Sequence, residues 1–146
     1  MLSYNSSTAA EEAFYAAFSA TDLEAMMHIW ADQPDIVCIH PNGPRLRGRD
    51  QVRLSWSMIF RDRVVRHFAL TGLRIIGNGD QRIHLLEENI SVPGTNYVSP
   101  PVLATNIYRR DQNGWHLIIH HASVAPSSLP TQTKGFSGPP PVATVH

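Results

Sequence analysis

Four polar side chains lie in apolar runs of this sequence and are candidates for acid–base chemistry: His121, Asn106, Glu87 and His40. His121 belongs to Trp115–Pro126, WHLIIHHASVAP, which carries His116, His120 and His121 of the chain's eight histidines. An imidazole titrates near pH 6.5 when unperturbed and serves as base or donor at neutral pH, whereas a core histidine merely bonds a carbonyl. Asn106 is an amide among apolar strand residues and must find partners, either His121 or a ligand carbonyl. Glu87 and Glu88, adjacent on a strand, place one carboxylate on each face. Glu87 is taken as the inward one with Glu88 as the alternative, and a solvent-facing pair near the strand end is the other reading. His40 ends a strand just before Pro41, at the mouth or floor of whatever the sheet encloses. Together these groups suit proton transfer in a mostly apolar cavity. Glu87 or His121 would be the base, and Asn106, His40 or a tryptophan N–H the donor to an enolate oxygen.

Other chemistries lack their residues. There is no GxGxxG or GxxxxGK[ST] phosphate cradle. Ser123 near His121 has neither a nucleophile elbow nor an oriented third group. Two histidines on one strand, His116 and His120, are too few to hold zinc without a carboxylate or third histidine, so neither metal nor cofactor is expected. Twelve Lys plus Arg balance twelve Asp plus Glu, which argues against a nucleic-acid partner and against a polybasic membrane anchor. No apolar run reaches the roughly 20 residues of a bilayer span, and the start lacks a signal peptide's regions, so a cytoplasmic protein is expected. Cys38, the one cysteine, reads as a small buried hydrophobe.

The elements that must hold these groups follow from periodicity. Residues 1–7 read as a loose start. Thr8–Glu11 has capping-box spacing and opens a helix to about Ala20, with Phe14 and Phe18 on one face. A second box at Thr21–Glu24 opens a short helix whose stripe is Leu23, Met26, Met27 and Trp30. Asp35–His40 reads as a strand, and Arg49–Asp62 as a third helix with Val52, Trp56, Ile59 and Phe60 on one side. Four strands complete the domain: Val64–Ile76, bulged near Gly72, then Arg82–Ser91, Val102–Arg110 and Trp115–Val124. Three helices and an antiparallel meander make an α+β fold in which helices cover the concave side of a curled sheet. The domain is expected to span 1–126. The Pro-rich tail 127–146 is expected to lie on a partner subunit.

The last hairpin predicts the facing of its strands. Pairing Gln112 with Trp115 carries Asn106 opposite His121, pairing Arg110 with Trp115 keeps the same parity, and paired residues share a face. His121 and Asn106 then point together, with His116, Ile118 and His120 on the other side.

Trp30-Ala31-Asp32, Ile39-His40-Pro41, Gly48-Arg49, Ser55-Trp56, Ala104-Thr105-Asn106 and His120-His121-Ala122-Ser123, in this order, resemble the SnoaL-like branch of the nuclear transport factor 2-like superfamily. The last strand, through Ala125-Pro126 and Ser128-Leu129-Pro130, is also similar to the association domain of calcium/calmodulin-dependent protein kinase II. The resemblance implies a cone-shaped, cystatin-like fold around a pocket, commonly in a dimer or larger ring. Tyr15, Trp30 and Trp56 would then line an aromatic wall suited to a flat apolar small molecule. The convex sheet face, with His116 and His120, would be the interface of a homo-oligomer, a dimer in the simplest case. Asn106 and Glu87 fall where the association domain has pocket arginines. The resemblance admits isomerases, lyases, polyketide cyclases and binding proteins, with an oligomeric assembly domain as the alternative.

Overall fold

The computed structural model describes residues 3–126; the tail 127–146 lies outside the described residues. Helix α1 (Ser7–Ala20) begins one residue before the expected box, because the Ser6 hydroxyl, not Thr8, accepts from Ala9 N at 3.0 Å. It ends where Thr21 turns left-handed, at φ 54°. Helix α2 (Leu23–Ile29) is capped by Asp22, whose carboxylate accepts from Ala25 N at 3.0 Å. Helix α3 (Gly48–Ile59) runs into a 3₁₀ turn at Phe60–Asp62. Arg49, in its first turn, donates to the carbonyls of Met27, Trp30 and Ala31 at 3.0–3.2 Å. That guanidinium satisfies carbonyls left free where α2 ends, and so ties α3 to α2.

Six strands form one sheet in the order β2-β1-β6-β5-β4-β3. They are β1 (Val37–Ile39), β2 (Leu46–Arg47), β3 (His67–Ile76), β4 (Gln81–Ser91), β5 (Val102–Asp111) and β6 (Gly114–Val124). The meander β3-β4-β5-β6 is present as expected, and the expected bulge breaks β3 between Thr71 and Arg74, where Gly72 takes φ 66°. Two features depart from the sequence reading. The β1 strand is short and runs parallel to β6, and the two-residue β2 pairs with it, widening the sheet beyond a meander. The third strand also begins at His67 rather than Val64.

The core lies between the helices and one sheet face. Phe14, Phe18, Trp56, Phe60 and Phe68 form its aromatic centre, with ring centroids 4.8 Å apart for Phe18–Trp56 and 4.6 Å for Phe18–Phe68. Cys38 is buried as expected. Among the described residues no helix is long and apolar enough to cross a membrane.

The outer sheet face bears no covering element among the described residues. Its side chains fall in rows that cross the strands. One row is Ile76, Ile83, Ile107, Ile119 and Val37; the next is Arg74, Leu85, Thr105, His121 and Ile39; a third is Thr71, Glu87, Leu103 and Ser123.

Candidate functional site

The final hairpin does pair Arg110 with Trp115, but an irregularity lies between Ile107 and Tyr108. Ile107 faces Ile119 while Tyr108 faces Leu117, so β6 has one extra residue, Ile118, and the parity above it reverses. Asn106 therefore opposes His120, not His121. His121 stands exposed on the outer face beside Thr105 and Ile39. The expectation that His121 and Asn106 share a face is corrected by this single inserted residue. The same bulge separates the pair expected at an outer interface. His120 turns inward and is 1% exposed, while His116 stays opposite Arg109 and packs edge-on to Tyr4 at 6.3 Å.

The carboxylates correct in the same way. Glu88, not Glu87, faces the helices. Glu87 is half-buried in the outer row between Thr71 and Leu103. On β4 the inward parity is His84, Leu86, Glu88, and on β5 it is Ala104, Asn106, Tyr108. Helix α1 brings Ser7, Glu11 and Tyr15 against these positions.

The result is a closed hydrogen-bonded cluster between α1 and the sheet. Tyr15 OH donates to Glu88 Oε2 at 2.7 Å. Asn106 Nδ2 donates to Tyr15 OH and to Glu11 Oε1, both at 3.1 Å, and Tyr108 OH donates to Glu11 Oε1 at 3.2 Å. The other Glu11 oxygen lies 2.8 Å from His84 Nδ1, and His84 Nε2 lies 2.9 Å from Ser7 Oγ. Since the Asn106 amide nitrogen is committed to Glu11 and Tyr15, its oxygen accepts, so His120 Nδ1 carries the proton across the 2.6 Å contact. His120 Nε2 is then the basic nitrogen, on a ring 5.0 Å from Phe14 and 6.3 Å from His40.

Burial governs the protonation states. Burial raises the Glu88 carboxyl to about 7, helped by the Glu11 charge and opposed by the hydrogen bond from Tyr15. Burial likewise holds the Tyr15 and Tyr108 phenols well above their ordinary value, with Glu88 and Glu11 respectively adding to the shift, so both remain donors. Desolvation lowers His120 to about 3 and His40 to about 4, so both imidazoles are neutral at physiological pH. Cys38 is pushed up to about 12 by burial and stays a thiol.

The remaining expected residues divide. Tyr15 and Asn106 belong to the cluster. Trp56 is fully buried beside it, with His40 edge-on at 4.7 Å and His40 Nε2 3.0 Å from Ser55 Oγ. Trp30 is buried apart from them, at the wall of a cleft of about 780 Å³ that also includes Tyr4, Arg49 and His116. The Nε1 atoms of Trp30 and Trp56 are buried without a hydrogen-bond partner among the described residues. Glu11, His84 and Tyr108 were not singled out from sequence, and Glu88 was weighed only as the alternative to Glu87. Their signals were there: Glu11 and Tyr15 are one helical turn apart on the Phe14 side of α1, and His84 and Glu88 share strand parity. Two carboxyl groups, two proton-bearing phenols and two imidazoles in one buried cluster can hold and relay protons. Among the described residues, no group of three or more His, Cys, Asp or Glu is placed to hold a metal ion.

Comparison with known proteins agrees with this architecture. A model of the SnoaL-like domain matches residues 8–127. A solved structure from Thiobacillus denitrificans, provisionally described as a calcium/calmodulin-dependent protein kinase type II association domain, is 34% identical, with a TM-score of 0.80 over 86% of this chain and 99% of that one. A nuclear transport factor 2-like protein from Streptomyces avermitilis, provisionally described as a dehydratase, is 33% identical, with a TM-score of 0.71 over 80% of this chain and 91% of that one. The F-box protein SKIP8 of Arabidopsis thaliana is 26% identical over 111 residues, 76% of this chain but 46% of that protein, so the chain spans less than half the length of that relative. With helices packed on one face of an unclosed six-stranded sheet and its family's sequence pattern over most of its length, the chain belongs to the SnoaL-like family and has the nuclear transport factor 2-like fold.

Proposed function

We propose that the domain binds a small, largely apolar carbonyl compound beside the buried cluster and moves protons on it, as a lyase, an isomerase or a polyketide cyclase does. The observation that carries this reading is Glu88. It is a buried carboxyl held near 7, hydrogen-bonded to the Tyr15 phenol and linked through Tyr15 and Asn106 to Glu11. A carboxyl that exchanges its proton near neutral pH suits general acid–base catalysis. Its cross-strand partner Leu70 is 40% exposed on the same face of edge strand β3, and Ile75, the partner of His84, is 46% exposed. These side chains place exposed apolar surface on β3 next to the cluster.

A thermal-shift screen of apolar carbonyl compounds on wild type, Glu88→Gln and Asn106→Leu tests this. Stabilisation of wild type that weakens in both variants supports it. Equal shifts in wild type and Glu88→Gln would remove the cluster from the ligand site.

A second reading, an oligomeric assembly domain, is favoured by the uncovered row Ile76-Ile83-Ile107-Ile119-Val37, with Leu103 45% exposed two rows away on the same face. An apolar band across five strands suits a second copy of the same sheet, giving a homodimer. The two readings are compatible, since they use opposite faces of the sheet. Light scattering decides the second, and a monomer at micromolar concentration would contradict it.

A further inference from the structure

We propose that Ser7, His84 and Glu11 form a nucleophilic triad that acts on small esters with short apolar acyl groups, an activity separate from proton transfer at Glu88. The three residues come from the first two turns of α1 and from β4, yet they meet in one line. Ser7 Oγ lies 2.9 Å from His84 Nε2, and His84 Nδ1 lies 2.8 Å from Glu11 Oε2. The partners of Glu11 decide the direction of these bonds. Its other oxygen accepts from Asn106 Nδ2 and Tyr108 OH, so the carboxylate is an acceptor on all sides and takes the proton of His84 Nδ1. His84 Nε2 is left with its lone pair toward the Ser7 hydroxyl. This is the tautomer and order that a serine nucleophile requires. The imidazole is fixed in that plane by Tyr108, whose ring packs edge-on at 4.8 Å.

Two further observations bear on a substrate. Ser6 occupies the amides of Ala9 and Ala10, through its hydroxyl and its carbonyl, while the amides of Ser7 and Thr8 make no hydrogen bond among the described residues. The N–H following the nucleophile is a donor suited to an oxyanion formed beside Oγ. Ser7 itself is 7% exposed next to exposed Thr8, and half-exposed Ile75 shares the face of His84, giving an acyl chain an apolar rest.

In the reaction, Ser7 Oγ bonds to the ester carbonyl carbon as its proton passes to His84 Nε2. The ester C–O bond breaks, the alcohol leaves with that proton, and Ser7 is acylated. Water then attacks the acyl carbon, giving its proton to His84 Nε2. The bond between the acyl carbon and Ser7 Oγ breaks, the carboxylic acid leaves, and the proton passes from His84 Nε2 back to Ser7 Oγ.

The test is incubation of the full chain with a small alkyl fluorophosphonate and with p-nitrophenyl butyrate, comparing wild type, Ser7→Ala, His84→Gln and, as a control on the outer face, His121→Ala. The expected result is one phosphonyl adduct on Ser7 by peptide mass mapping, unchanged in His121→Ala and absent from Ser7→Ala. Hydrolysis should fall on the order of 100-fold in Ser7→Ala. Because His84 is buried and its replacement could unfold the domain, Ser7→Ala with an unchanged circular dichroism spectrum is the deciding variant. No adduct on Ser7, or equal hydrolysis by wild type and Ser7→Ala, would overturn the proposal and leave the three residues as a tie between α1 and β4.

Discussion

His120 Nδ1 lies 2.6 Å from Asn106 Oδ1, while His121, its neighbour in sequence, stands exposed on the opposite face of the same strand. One imidazole is thus built into the buried cluster and the other only meets solvent or a partner. The two histidines should therefore answer differently to truncation. His120→Ala leaves Asn106 Oδ1 without its donor and opens a cavity beside Phe14, at a cost of about 2–4 kcal/mol. His121→Ala should stay within about 0.5 kcal/mol of wild type. Urea unfolding monitored by fluorescence measures both, and equal losses would contradict the facing described above.

Stability should depend on pH in opposite senses through Glu88 and the buried histidines. Glu88 is raised to about 7, so the folded state holds a proton that the unfolded chain loses above its ordinary value near 4.5. Its contribution is full below that value and is lost as pH rises through 7. His40 and His120 are lowered to about 4 and about 3, so their contribution is full above pH 6.5 and is lost as pH falls toward those values. Between pH 5 and 6 the unfolded chain thus gains two protons at histidines where the folded state keeps one at Glu88. From these three groups stability should rise with pH by about 1.4 kcal/mol per unit. Glu88→Gln removes the opposing proton, so that slope should roughly double. Urea midpoints at pH 5, 5.5 and 6 measure it, and an unchanged slope would show that Glu88 is not held protonated.

Leu103 and Ile107 lie on the uncovered outer face, where a second copy is proposed to sit. Ile107→Lys should convert the assembly to monomer and leave the circular dichroism spectrum unchanged, because the face is not needed for the monomer's core. Sedimentation equilibrium reads the mass; retention of the wild-type mass would exclude this face.

Gly114 closes the β5–β6 turn at φ 105°, and a Cβ there would meet Tyr4 O at 2.6 Å. The same carbonyl accepts from Trp115 N at 2.8 Å, so the segment before α1 is stitched to the hairpin here. Gly114→Ala should cost about 1–3 kcal/mol through backbone strain and loss of this contact. Differential scanning calorimetry measures it, and an unchanged melting temperature would show that Tyr4 moves aside freely.

Much of this domain could be read without coordinates because its signals are local. Apolar period located α1 through Phe14 and Phe18, α3 through Val52 and Trp56, and the four meander strands between their Gly and Pro turns. Charge balance and the missing phosphate and metal motifs limited the chemistry, and the ordered short motifs indicated the family. What required the tertiary structure was the direction of single side chains. A strand alternates faces only while its register is unbroken, and the extra Ile118 reversed the parity of everything from Ile119 onward, exchanging His121 for His120 beside Asn106. Choosing Glu88 over Glu87 turned on the β4–β5 register for the same reason. The Ser7–His84–Glu11 line joins residues more than 70 positions apart, a proximity that no local pattern encodes because it arises only when α1 settles on the sheet.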